Sequence, residues 1–137
     1  MSDPWKQEII ELHDFFERWM RGDDPLTDDA FQRVRAVLAD GFELIHPEGR
    51  RIEREPLLDR LRKAHGSRPE KKIWIEAPRL QFTRGVVQVA TYEEWQEDDN
   101  GRDGRLSTAV FQRVPDAPNG LVWRHVHETW LEPPSSS

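Results

Sequence analysis

Trp123, His125, His127 and Thr129 fall at every second position of the segment LVWRHVHETWL (121–131). On a pleated strand all four share one face, and Arg124, Val126, Glu128 and Trp130 share the other. Imidazole changes charge near neutral pH without help, and partial burial beside a carboxylate would tune it for proton transfer. The alternative is a pair of core-edge histidines held by hydrogen bonds. A second cluster, Tyr92-Glu93-Glu94-Trp95-Gln96, puts Tyr92 and Glu94 on one face and Glu93 and Trp95 on the other, so either face presents one carboxylate. A carboxylate among aromatic rings would have a raised pKa and serve as a general acid or base. We assign Tyr92 and Glu94 to the inner face, because the Val87, Val89 and Thr91 row then packs against a partner. A cross-strand ion pair with Arg102 or Arg105 is the bland alternative. His46 and His13 complete the candidate set, each with a hydrogen-bonded structural or surface histidine as the competing reading.

The elements that must position these groups follow from periodicity. Asp3-Pro4 opens a helix in which Trp5, Ile9, Leu12, Phe16 and Trp19 recur at helical spacing, and Gly22 stops it. His13 sits at the edge of that stripe. Thr27-Asp28-Asp29 caps a second helix whose buried face is Ala30, Phe31, Val34, Val37 and Leu38, ended by Asp40-Gly41. Residues 42–45 form a short strand that runs into the His46-Pro47-Glu48-Gly49 turn, and 50–54 form another. Glu55-Pro56 opens a third helix with Leu57, Leu58, Leu61 and Ala64 inward and Gly66 at its end. From Lys71 the period becomes two, with a phase change at Pro78 that calls for a bulge. Strands over 86–96, 106–114 and 121–131 then complete an antiparallel meander joined by polar loops. The expectation is a single α+β domain over 1–132, followed by a disordered tail at 133–137.

Composition narrows the class. Among the 137 residues, six Trp and six Phe offer large burial per side chain although 34% of the chain is charged, which describes a charged skin over an aromatic core. The net charge of −6 opposes binding to a phosphate backbone, so nucleic acid is not an expected partner. No segment approaches the length of a membrane span and no secretory leader pattern opens the chain, which predicts a cytoplasmic protein with no membrane partner. The absence of Cys removes disulfides, thiolate metal sites and a Cys nucleophile. Two His and a carboxylate suit zinc or iron in principle, but no recognised ligand spacing, phosphate loop or nucleophile elbow is present. No metal or other cofactor is expected.

The order of elements, with RGDD at 21–24, Gly49 ahead of the third helix, and Trp123 followed four residues later by His127, resembles the nuclear transport factor 2-like superfamily. The Trp-then-His spacing is similar to that of the SnoaL-like polyketide cyclase branch and of calmodulin-dependent kinase association domains. The second His and the Ser that often follow at two-residue steps in those branches are here Thr129 and Leu131. The resemblance implies a cone: a curved antiparallel sheet wrapped around three N-terminal helices, enclosing a cavity, with homodimers formed through the convex face. It also implies that Trp123, His125, His127 and Thr129 line the cavity. Two functions follow. One is binding of a small apolar organic ligand, with cofactor-free isomerase, dehydratase or cyclase chemistry, in which His127 and Glu94 move protons, Tyr92 and His125 orient the ligand and Trp123 is an apolar wall. The other is a non-catalytic association module anchored by Trp74, Trp95 and Trp130 on the convex face.

Overall fold

The structure, a computed structural model, describes residues 3–134. Ser2, and residues 135–137 of the expected tail, lie outside the described residues. Helix α1 spans Pro4–Arg21, with Asp3 at its N-cap, Pro4 in the first turn, and Gly22 closing it in the left-handed conformation at φ 83°. Its stripe of Trp5, Ile9, Leu12, Phe15 and Trp19 is buried. Helix α2 is Asp28–Arg35, and its Thr27 hydroxyl accepts the Ala30 amide at 3.2 Å. It ends before Val37 and Leu38, so its buried face is shorter than the sequence pattern implies. Leu38 instead begins β1, Leu38–Ile45, because the Trp123 amide donates to the Val37 carbonyl at 2.7 Å and draws this segment into the sheet. Strand β2 is Arg51–Glu53 and helix α3 is Arg54–Lys63.

Four long strands follow: β3 Lys72–Arg84, β4 Val87–Asp98, β5 Gly101–Arg113 and β6 Leu121–Glu132. The sheet runs β2-β1-β6-β5-β4-β3. Every pair is antiparallel except β1 with β6, which makes the sheet mixed. The expected bulge at Pro78 is present. Ala77 adopts φ 51° and the β3/β4 register shifts between Glu76 and Arg79, which turns Leu80 and Phe82 to the solvent side. Helix α1 packs against the sheet, where Glu17 accepts the Ile73 amide at 2.8 Å, and the Trp19 indole donates to the Leu61 carbonyl of α3 at 2.7 Å. The result is an α+β cone with its core between the helices and the concave sheet face.

Candidate functional site

A cavity of about 150 Å³ opens between α1, α3 and the concave face of the sheet. Its walls are largely apolar, among them Phe16, Phe42, Leu57 and Trp123, while the strands contribute one polar patch: Tyr92, Glu94, Gln96, Arg105 and Glu128, faced by His13 from α1. Strand β4 pairs with β5 without interruption, so alternation along 90–96 carries Tyr92, Glu94 and Gln96 to the concave side together.

His13 uses both ring nitrogens. Nδ1 lies 2.7 Å from the Ile9 carbonyl and Nε2 lies 3.0 Å from Glu94 Oε1. A carbonyl only accepts, so Nδ1 carries a proton. The second bond then needs a further proton between imidazole and carboxylate, and the geometry is that of a buried imidazolium–carboxylate pair. Burial acts to lower the His13 pKa, but the charge and hydrogen bond of Glu94, with the Ile9 carbonyl, outweigh it and the net shift is upward. Burial likewise acts to raise Glu94, and the His13 charge and hydrogen bond, Arg105 and Gln96 overcome it, holding Glu94 at about 2. Glu94 Oε2 accepts from Gln96 at 2.6 Å, and Gln96 Oε1 accepts from Lys71 at 3.1 Å. Lys71 is itself paired with Asp98 at 3.0 Å.

Glu128 behaves in the opposite way. Burial first, and the nearby Glu94 charge second, push it up to about 7 against the pull of Arg105. Its contacts are long: Arg105 at 3.3 Å and Ser107 at 3.4 Å. Arg105 also bonds Asp103 at 3.0 Å and lies 4.9 Å over the Trp130 ring. Burial and the two glutamates push the Tyr92 hydroxyl well up, so it stays protonated. Behind the cavity wall, the fully buried Glu8 takes a two-pronged bond from Arg33 at 2.8 and 3.2 Å, the Trp123 indole at 2.8 Å and Asn119 at 2.9 Å, which fixes the ring of Trp123.

The structure corrects the expected face of β6. Trp123 points inward as expected, but His125, His127 and Thr129 turn to the convex side, and Val126 and Glu128 line the cavity in their place. The cause is a bulge at Arg124: Phe111 pairs with Trp123 and Val110 with His125, so one residue is inserted and the alternation inverts. Trp130, assigned to a convex anchor, packs with Arg105 and lies 5.7 Å from His46, edge to face. His46 itself sits beyond the end of β1, outside the cavity lining, with Nδ1 accepting the Glu48 amide at 3.3 Å. Glu8, Gln96, Arg105 and Glu128 join the site beyond the residues expected from the sequence. Glu8 carries a signal because it falls within the helical stripe of Trp5, Ile9 and Leu12, and Gln96 because it follows Tyr92 and Glu94 at two-residue steps. Among the described residues no group of three or more His, Asp or Glu side chains is placed to hold a metal ion, and no helix is long and apolar enough to cross a membrane.

This geometry is that of an NTF2-like protein. The chain aligns with the crystal structure of an NTF-2 like protein of unknown function from Pseudomonas aeruginosa at TM-score 0.84 and 31% identity, covering 93% of this chain and 98% of that one. The hub of the S. rosetta CaMKII shares the fold at TM-score 0.63 and 16% identity, over 90% of this chain and 95% of that one. In sequence, residues 5–132 match the family described as sucrose-6-phosphate phosphohydrolase C-terminal, and the chain belongs to that family. A probable sucrose-phosphatase 2 from Arabidopsis thaliana is 28% identical over 125 residues, 90% of this chain but only 29% of the plant protein. The chain thus spans under a third of the length of that relative.

Proposed function

We propose that the chain is a small-molecule-binding domain whose cavity takes a compact organic ligand, with Glu128 as its proton-transfer group. One observation carries this reading: two buried carboxylates line one cavity in unlike surroundings, Glu94 held close by His13 and Gln96 and shifted down, Glu128 held only at 3.3 and 3.4 Å by Arg105 and Ser107 and shifted up. Separation of that kind is how one site holds a permanent anion beside a group that exchanges its proton near neutrality. Glu94 is locked by His13 and Gln96 and acts as the fixed charge. Tyr92 and Trp123 form walls, and His127 yields its expected proton-transfer role to Glu128 because it faces away. Phosphate-ester hydrolysis is no part of this proposal, since both cations of the polar patch are already bonded to carboxylates and the unpartnered Arg105 Nε is sealed from solvent.

The test is a thermal-shift screen of the purified chain against small amines, ketones, lactones and alcohols, repeated on Glu128→Gln. A ligand at one hundred times its dissociation constant adds about 2.7 kcal/mol to stability. A shift in the wild type that Glu128→Gln diminishes for at least one ligand class supports the reading, and no shift across the panel rejects it.

Association is a second reading, favoured by the convex face. There Trp74 and Trp95 lie with near-parallel rings 6.5 Å apart beside the half-buried outer row of β4, and the structural neighbour from S. rosetta is a hub. A homodimer through this face predicts that Trp74→Glu lowers the mass measured by light scattering. A monomeric wild type at all concentrations rejects it.

A further inference from the structure

The polar patch has a charge inventory that constrains what the cavity takes. Its ionisable members are His13 from α1, Glu94 from β4, and Arg105 with its partner Asp103 from β5, together with Glu128 from β6. His13 spends both nitrogens, on the Ile9 carbonyl and on Glu94. The second oxygen of Glu94 is taken by Gln96. Arg105 is divided between Asp103 and Glu128, and its Nε is sealed from solvent without a partner. Three carboxylates therefore face two cations. The uncompensated negative charge falls on Glu128, whose contacts at 3.3 and 3.4 Å are the longest in the patch. Lys71 does not cancel it, being paired with Asp98 at 3.0 Å.

Each ligand class meets this arrangement differently. An anion adds to the excess charge, and Arg105 Nε, the nitrogen left without a partner, is sealed from solvent. A purely apolar molecule displaces solvent from a carboxylate that then lacks a full partner, which costs several kcal/mol or forces it to take a proton. A cation completes the balance, and the remaining walls suit one: the rings of Phe16, Phe42, Tyr92 and Trp123 border the cavity, and aromatic faces attract ammonium groups. We propose that the cavity binds a compact amine, its ammonium paired with the Glu128 carboxylate and its apolar body against Phe16, Phe42 and Trp123. Binding forms no covalent bond. Any proton held by Glu128 is released to solvent as the ammonium takes its place. The cavity's roughly 150 Å³ matches the size at which an apolar cavity admits a benzene ring, so the body is one six-membered ring or its equivalent. The proposal rests on the reading of the cavity as a small-molecule site, and names its ligand class.

Isothermal titration of the full chain at mildly alkaline pH, with benzylamine, benzyl alcohol and benzoate as matched probes, tests it. Benzylamine is expected to bind about tenfold more tightly than benzyl alcohol, with no binding of benzoate. Glu128→Gln should erase the difference between amine and alcohol while the alcohol still binds, which also shows the variant to be folded. Equal or tighter binding of the alcohol to wild type overturns the amine assignment and leaves the small-molecule reading standing. Retention of the amine preference in Glu128→Gln overturns Glu128 as the counter-ion. Failure of all three probes removes both this inference and the reading beneath it.

Discussion

Strands β4, β5 and β6 carry charged and aromatic residues on both faces, and the two faces use them in opposite ways. On the concave side His13, Glu94, Arg105 and Glu128 are withdrawn from water, and each position matters because a buried charge that loses its partner keeps its full desolvation cost. On the convex side Trp74 and Trp95 bond Glu76 and Glu93 at 2.9 and 3.0 Å, and Arg102 lies 4.5 Å over Trp95 and 3.6 Å from Glu132. These contacts remain wet, and water replaces any one of them at little cost. Residue types that look equivalent in the chain are thus structural and electrostatic commitments on one face and an adjustable surface on the other.

The comparison is broken most directly by Glu94→Ala. It strips His13 of its buried partner and should cost about 3 kcal/mol or more in urea denaturation. A cost below 1 kcal/mol would mean that the concave pair is no more committed than a surface one. The pH profile sharpens the same point. The folded-state pKa of Glu94 is depressed from 4.5 to about 2, so its contribution is complete above the unfolded value and is lost as pH falls through that interval, on the order of 3 kcal/mol. Glu128 has the reverse sign: raised from 4.5 to about 7, it favours the native state while protonated, and this advantage disappears as pH rises through that window. His13, shifted up, likewise contributes fully below its ordinary 6.5 and loses that contribution as pH rises through its folded-state midpoint. Stability measured by denaturant melts should therefore peak in mildly acid solution, and Glu94→Ala should flatten the acid limb.

On the convex face the expected effects are smaller. A Cβ at Gly104 would collide with the Trp95 ring, so Gly104→Ala should displace that indole, cost about 1–2 kcal/mol and change the near-ultraviolet circular dichroism. Arg102→Ala removes a cation over an aromatic ring at an exposed site and should cost about 0.5–1 kcal/mol in urea melts. His127→Ala should fall within about 0.5 kcal/mol of wild type and leave ligand binding unchanged. Weakened binding in that variant would place a ligand on the convex side and reverse the assignment of the two faces.

Much of this frame was legible from local pattern. The α1 stripe with Pro4 and Gly22, the Thr27 cap, the bulge at Pro78 and the four long strands all follow from short-range rules, because capping, left-handed glycine and period-two alternation act within a few residues. Alternation also placed Tyr92 and Glu94 on one face of β4, and the unbroken β4/β5 register turns that face inward. Local pattern failed in β6, where the β5/β6 register slips at Arg124, and at the end of α2, where the following segment is drawn to β6. The parallel register of β1 and β6 skips between Leu38 paired with Trp123 and Glu43 paired with His125, and the Val37 carbonyl takes the Trp123 amide. Nothing near Arg124 in the chain announces that slip.

The sequence alone determined the element order, the apolar faces and the chemical inventory of acids, imidazoles and indoles, since those are properties of neighbours along the chain. Tertiary structure decided which members of the inventory share the cavity. The Arg124 bulge exchanged two histidines for Glu128, and helix α1, distant in sequence, brought His13 to Glu94 at the same wall. A one-residue insertion in a period-two pattern moves every later side chain to the other face, so pairing partners far along the chain, and not the strand's own residues, chose the chemistry of the site.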